Sequence, residues 1–184
     1  MAFLSFITSL QYSVPAPLLP VEMKRRGISQ TFTGVAMACF SAGSLIAPLL
    51  VTSSVYKKCG RRGAAQYSLL LLSIALLLYS MAYFIPDQYG FLFGFASALT
   101  RVLEGLGTGG SITAILSLIS KTFPEERGLA LSTRGFGGSL GNCFGVIFGT
   151  GLFRWLGYFG VFSLLSLITF LTLFFLLVFR ENKN

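Results

Sequence analysis

The sequence has no histidine, only six acidic residues and three cysteines, and just 11% of its 184 residues are charged. A soluble globular domain carries roughly 25% charged residues, so composition argues against a water-soluble fold. Without histidine, any proton exchange near neutral pH falls to Glu, Asp or a shifted Lys. Cys39, Cys59 and Cys143 stand far apart, with no C-x-x-C spacing and no histidine to complete a ligand set. Zinc and disulfide readings both lapse. There is also no constellation of nucleophile and base and no cofactor motif, so the chain is expected not to be an enzyme and to need no cofactor.

What is abundant is apolar: 54% of residues are hydrophobic, 19 are Phe, and the mean hydropathy is +0.77. About 20 apolar residues cross a bilayer as a helix, and six stretches of that kind are bounded by charges, prolines and glycines. They run over 1–19, 31–55, 65–85, 89–120, 128–153 and 159–179. Backbone groups in hydrocarbon must bond within their own segment, which predicts helices, not open strands. The first run carries no charge and is expected to break near its end at Pro15, Pro17 and Pro20. A signal peptide is the alternative there, but no basic segment precedes the run and no small-residue cleavage site follows it.

The net charge of +8 sits in short clusters between apolar runs, the pattern of membrane loops and not of a nucleic-acid surface. With both termini in the cytoplasm, inner segments hold eight of the fourteen Lys and Arg: Lys57, Lys58, Arg61, Arg62, Lys121, Arg127, Arg180 and Lys183. Lys24, Arg25, Arg26 and Arg154 fall outside, and Arg101 and Arg134 lie within spans. Short basic loops tend to stay inside, which favours this orientation in a multi-pass protein of a vesicular, other endomembrane or plasma membrane.

Charge inside a span is the main chemical signal, because it costs about 2.5–3.5 kcal/mol near the bilayer centre. Arg101 and Glu104 stand three apart, share a face of the fourth helix and are able to pair. One reading makes Glu104 a protonatable group coupled to Arg101 and to a solute; the other makes the pair a mutually neutralising structural element. Arg134, roughly 9 Å into the fifth helix at 1.5 Å per residue, reaches towards Glu104 or snorkels to the surface. Gly105 and Gly107 follow the charged pair, and Gly137, Gly141, Gly145 and Gly149 recur every four residues along the fifth helix. Such stripes allow close helix packing, and a rocking surface is the functional addition. Gln11 and Tyr12, in the charge-free first helix, are candidates for a cavity wall. The remaining aromatics, with Tyr89, Trp155 and Tyr158 near span ends, read as lipid contacts and interfacial anchors.

Four landmarks together resemble the N-terminal six-helix half of the major facilitator superfamily. Ser53 to Arg62, including Lys58, Gly60, Arg61 and Arg62, resembles the cytoplasmic-loop pattern GxxxD(R/K)xGR(R/K), with Ser53 in place of Gly and Lys57 in place of Asp. Arg101 to Gly107 looks like RxxxGxG, whose Arg is implicated in proton coupling. Pro124 to Ala130 is similar to the short Arg-Gly-x-Ala segment entering helix five. Gly137 to Val146 resembles the antiporter motif GxxxGPxxGG, with Asn142 for Pro and Val146 for the last Gly. The segments Pro15 to Pro20 and Lys24 to Gln30 look most like the vesicular amine and polyamine transporters and related drug:proton antiporters.

The resemblance implies an all-α membrane domain of two inverted three-helix repeats, spanning 1–184, with helices one, two, four and five facing a cavity. It implies exchange of protons for a small organic cation or amine by alternating access, opposite a second six-helix half that is missing here or supplied by another chain. Arg101 and Glu104 would then couple proton and solute, although the first helix lacks the acid that several amine carriers use to hold the ammonium group. A fragment of a longer carrier is the expected origin. A non-transporting scaffold or partner subunit, and a facilitative carrier of a neutral metabolite, are the alternatives.

Overall fold

The computed structural model describes residues 2–51 and 56–181. Six α-helices carry nearly all of them: α1 Ala2–Ser13, α2 Pro15–Arg25, α3 Gln30–Leu50, α4 Tyr56–Met81, α5 Gly90–Thr122 and α6 Arg127–Glu181. Short 3-10 turns at Ala82–Phe84 and Asp87–Tyr89 join α4 to α5, and no strand occurs among the described residues.

The first span corrects the predicted end at residue 19. Pro15 occupies the first turn of α2, a position where helices tolerate its missing N–H, and Val14 still donates to the Leu10 carbonyl at 3.1 Å. Helix therefore runs with little interruption from Ala2 to Arg25, with Pro20 inside it. It ends at Gly27, whose φ of 71° admits a reversal that side chains disfavour. There Gly27 N donates to Lys24 and Ile28 N to Met23, the paired bonds of a Schellman ending. Ser29 then caps α3, its hydroxyl accepting from Phe32 N at 3.3 Å.

The predicted second span, 31–55, is helical over Gln30–Leu50, and 52–55 lie outside the described residues. The third was expected from 65, but α4 already includes Lys58, Arg61 and Arg62, with a non-helical break at Gly60. The basic motif is thus the entrance to a helix and not a free loop. The predicted fourth span is α5, two residues longer at its C-terminal end.

Predicted spans five and six form the two arms of α6. Its 55 residues would measure roughly 80 Å at 1.5 Å per residue, well over twice a ~30 Å hydrocarbon core. At Gly157 the backbone leaves helical geometry, with φ 65° and ψ −174°. Among the described residues five stretches are long and apolar enough to cross a membrane, of which Arg127–Val178 has the length for two passes.

The neighbours of each arm give their directions. Along the arm before Gly157, Gly137, Gly141, Gly145 and Gly149 meet Ala2, Phe6, Leu10 and Val14 in turn, so this arm runs parallel to α1. Beyond Gly157, Ser163 bonds Ser80 at 2.8 Å, while Ser166 and Ser73 each donate to the other's carbonyl, so this arm runs antiparallel to α4. α5 lies parallel to α3, with Gly105 against Phe40 and Gly109 against Ser44, and antiparallel to α4, with Gly107 against Leu72.

Lipid tails are as apolar as leucine, so association rests on close packing and interhelical hydrogen bonds. A Cβ at Gly105 would collide with the Phe40 carbonyl oxygen, and one at Gly141 with that of Phe6. The main core gathers Leu19, Met23, Leu72, Leu76, Phe93 and Phe162. The outer surface is strongly apolar, with Trp155, Phe91 and Leu45 more than three-quarters exposed. Water would not tolerate that surface; lipid covers it.

Candidate functional site

Glu104 sits in the middle of the 33-residue α5, roughly 20 Å along it from Gly90 at 1.5 Å per residue. Arg101 Nη1 donates to Glu104 Oε2 at 3.0 Å, and both side chains are only 2% exposed. The i,i+3 spacing puts them on one face, and pairing offsets part of the cost of removing two charges from water. Arg101 Nη2 lies 3.4 Å from the Met37 sulfur, and the guanidinium is 5.6 Å from the Tyr79 ring centroid and 6.0 Å from that of Phe40. Arg101 Nε and Glu104 Oε1 are buried without hydrogen-bond partners. Buried groups of that kind are rarely left idle, and here they leave the pair with bonding capacity to spare.

A cavity of about 270 Å³ opens beside the pair, lined by Tyr12, Ala16, Met37, Phe40, Ser41 and Arg101. Its walls come from α1, α2, α3 and α5. Tyr12 is half-exposed and packs on Phe40 with ring centroids 4.7 Å apart. Arg101 reaches the cavity surface, while Glu104 lies behind it and is not part of the lining. The wall is therefore aromatic, with the buried Arg101 bordering it and Glu104 outside the lining.

The other sequence candidates lie elsewhere. Gln11 is fully buried and donates its Nε2 to Thr169 Oγ1 on the arm after Gly157, so it turns away from the cavity that its neighbour Tyr12 lines. Arg134 is partly buried on the first arm of α6 and makes no ion pair among the described residues, with Glu104 or otherwise. Gly105 and Gly107 face α3 and α4, while Gly137, Gly141 and Gly145 face α1; each of the five meets neighbouring backbone. Lys58, Arg61 and Arg62 are exposed around Gly60 at one end of the bundle. No group of three or more potential metal ligands occurs among the described residues.

A second buried charge cluster was not anticipated. Glu22, 4% exposed, accepts from Arg25 and Arg26, and Asp87 joins at 3.3 Å from Arg25. The Arg26 guanidinium is buried, donates to the Ile85 carbonyl at 2.6 Å and the Tyr83 carbonyl at 3.1 Å, and lies 4.1 Å from the Phe93 ring centroid. It ties the first span to the α4–α5 turn. Its signal was present as an acid three and four residues ahead of two arginines, followed by a glycine helix stop.

Comparison with known proteins gives the family of the chain. The chain is 25% identical over 149 residues to the MFS-type transporter SLC18B1 of Mus musculus, covering 81% of this chain and 32% of the mouse protein. The Rattus norvegicus protein of the same name gives the same identity and coverage. That of Homo sapiens is 26% identical over 147 residues, covering 80% of this chain and 32% of the human protein. The aligned region is thus about a third of the length of these curated relatives. No solved structure gives a significant match. The profile of the Major Facilitator Superfamily matches residues 1–184 in full; the chain belongs to that family and is an integral, multi-pass membrane protein.

Proposed function

We propose that this chain forms one six-span half of a secondary transporter, which exchanges protons for a small organic cation or amine by alternating access. Family membership supports carriage of a solute across the membrane. The observation that carries the finer reading is the Arg101–Glu104 pair, held at mid-helix with Arg101 on the wall of the cavity shared with Tyr12. Protonating Glu104 removes its charge and frees the guanidinium; Arg101 then presents an uncompensated cation to the cavity. A cationic solute is repelled in that state and tolerated when Glu104 is ionised. Proton and solute thus exclude one another, which is the requirement of antiport.

In this reading the two arms of α6 are separate spans, both termini face the cytoplasm, and a second six-helix half closes the cavity from the opposite side. The chain performs no catalysis. The amine class follows from the similarity of Pro15 to Pro20 and Lys24 to Gln30 to the vesicular amine group. The ammonium-binding acid then belongs to the second half, since the first span of this chain contributes none to the cavity.

The test is uptake of a labelled organic amine into proteoliposomes containing the complete carrier under an imposed pH gradient. Glu104→Gln is expected to abolish the gradient-driven component. Unaltered proton dependence in that variant excludes Glu104 from coupling.

A further inference from the structure

A second cavity, about 520 Å³, has no part in the proposed transport site. It is a groove between α4 and the arm of α6 beyond Gly157, bordered by Lys58, Gln66, Tyr67, Leu70, Leu173 and Leu177. It shares no residue with the cavity at Tyr12 and Arg101. We propose that this groove binds one anionic phospholipid, with its phosphate at Lys58 and an acyl chain laid over Leu70, Leu173 and Leu177.

Charge complementarity and depth select that occupant. Lys57, Arg61 and Arg62 stand exposed beside Lys58, and none of the four makes an ion pair among the described residues. Among the described residues no acid borders the groove; Glu22 and Asp87 are clustered elsewhere, and Glu104 is buried in the bundle centre. The floor is apolar, and exposed Ile74 and Leu77 on α4, with Leu167 and Phe170 on the facing arm, extend the same surface. Tyr67, 57% exposed, has the apolar ring and polar tip suited to the level of lipid headgroups. A soluble anion would leave the leucine floor unsatisfied, and a zwitterionic lipid would leave the cations without net opposite charge. The inference is independent of the transport reading.

The experiment is native mass spectrometry of the full 184-residue chain purified in detergent, titrated with phosphatidylserine and with phosphatidylcholine of the same acyl chains. The wild-type chain is expected to retain phosphatidylserine preferentially. Lys58→Gln should weaken that retention about fivefold, the loss of one basic contact at a membrane surface. Leu173→Trp, which fills the floor, should weaken it with every cation kept, and Lys24→Gln, outside the groove, should leave it unchanged. Circular dichroism confirms that each variant is folded. Equal retention of the two lipids, insensitivity to Lys58→Gln, or displacement of the lipid by inorganic phosphate would each overturn the proposal.

Discussion

Arg26 and Arg101 are almost completely buried, and their surroundings set what each is able to do. Arg26 has its hydrogen bonds spent on Glu22 and on two backbone carbonyls, which makes it a structural tie. Arg101 keeps one nitrogen unused and borders a cavity. Removing one member of a buried pair strands the other charge and costs about 3–5 kcal/mol, whereas replacing both by apolar groups is often neutral. Arg101→Met is therefore expected to lower thermal stability in detergent far more than Arg101→Met combined with Glu104→Met. If the double variant is as unstable as the single one, the charges were not acting as a pair. Arg26→Lys should also destabilise, because a single ammonium cannot replace a fork that serves the Ile85 and Tyr83 carbonyls together.

Between helices, the spacing of small residues decides where backbones touch. Gly141→Val drives a side chain into the Phe6 carbonyl and should cost about 1–3 kcal/mol. Gly135→Ala, which meets open space, should change thermal stability by less than about 0.5 kcal/mol. Gly157→Ala should cost about 1–3 kcal/mol, because φ 65° with ψ −174° is a conformation that essentially only glycine adopts. The repeat of Gly137, Gly141, Gly145 and Gly149 was plain in the sequence, but its partner, α1, was not. A charge-free first helix offers no charged face from which to read its rotation. Gln11 and Tyr12, adjacent in sequence, point about 100° apart on a helix, and of the two Tyr12 lines the cavity that Arg101 borders. Proline misled for a related reason: Pro15 is a breaker within a helix and harmless in a first turn, and sequence alone does not say which applies.

At the scale of the molecule, the apolar runs were legible because hydrocarbon thickness imposes a length that few other constraints mimic. The Arg101–Glu104 pair was legible through its spacing. Glu22 and Arg26 were not recognised as buried, because charges beside a predicted span end read as loop. The path of the chain is open to labelling: in a Cys39→Ser, Cys143→Ser background, an impermeant maleimide should reach Cys59 from one side of the membrane only. With Cys59 also removed, Trp155→Cys should label from the opposite side. Labelling of both from the same side would mean that the two arms of α6 do not cross separately. The central claim, that proton and solute compete through Glu104, is tested most directly by proton release from the purified complete carrier in lightly buffered detergent. Addition of an organic amine should release protons from the wild type and none from Glu104→Gln; equal release from both would contradict it.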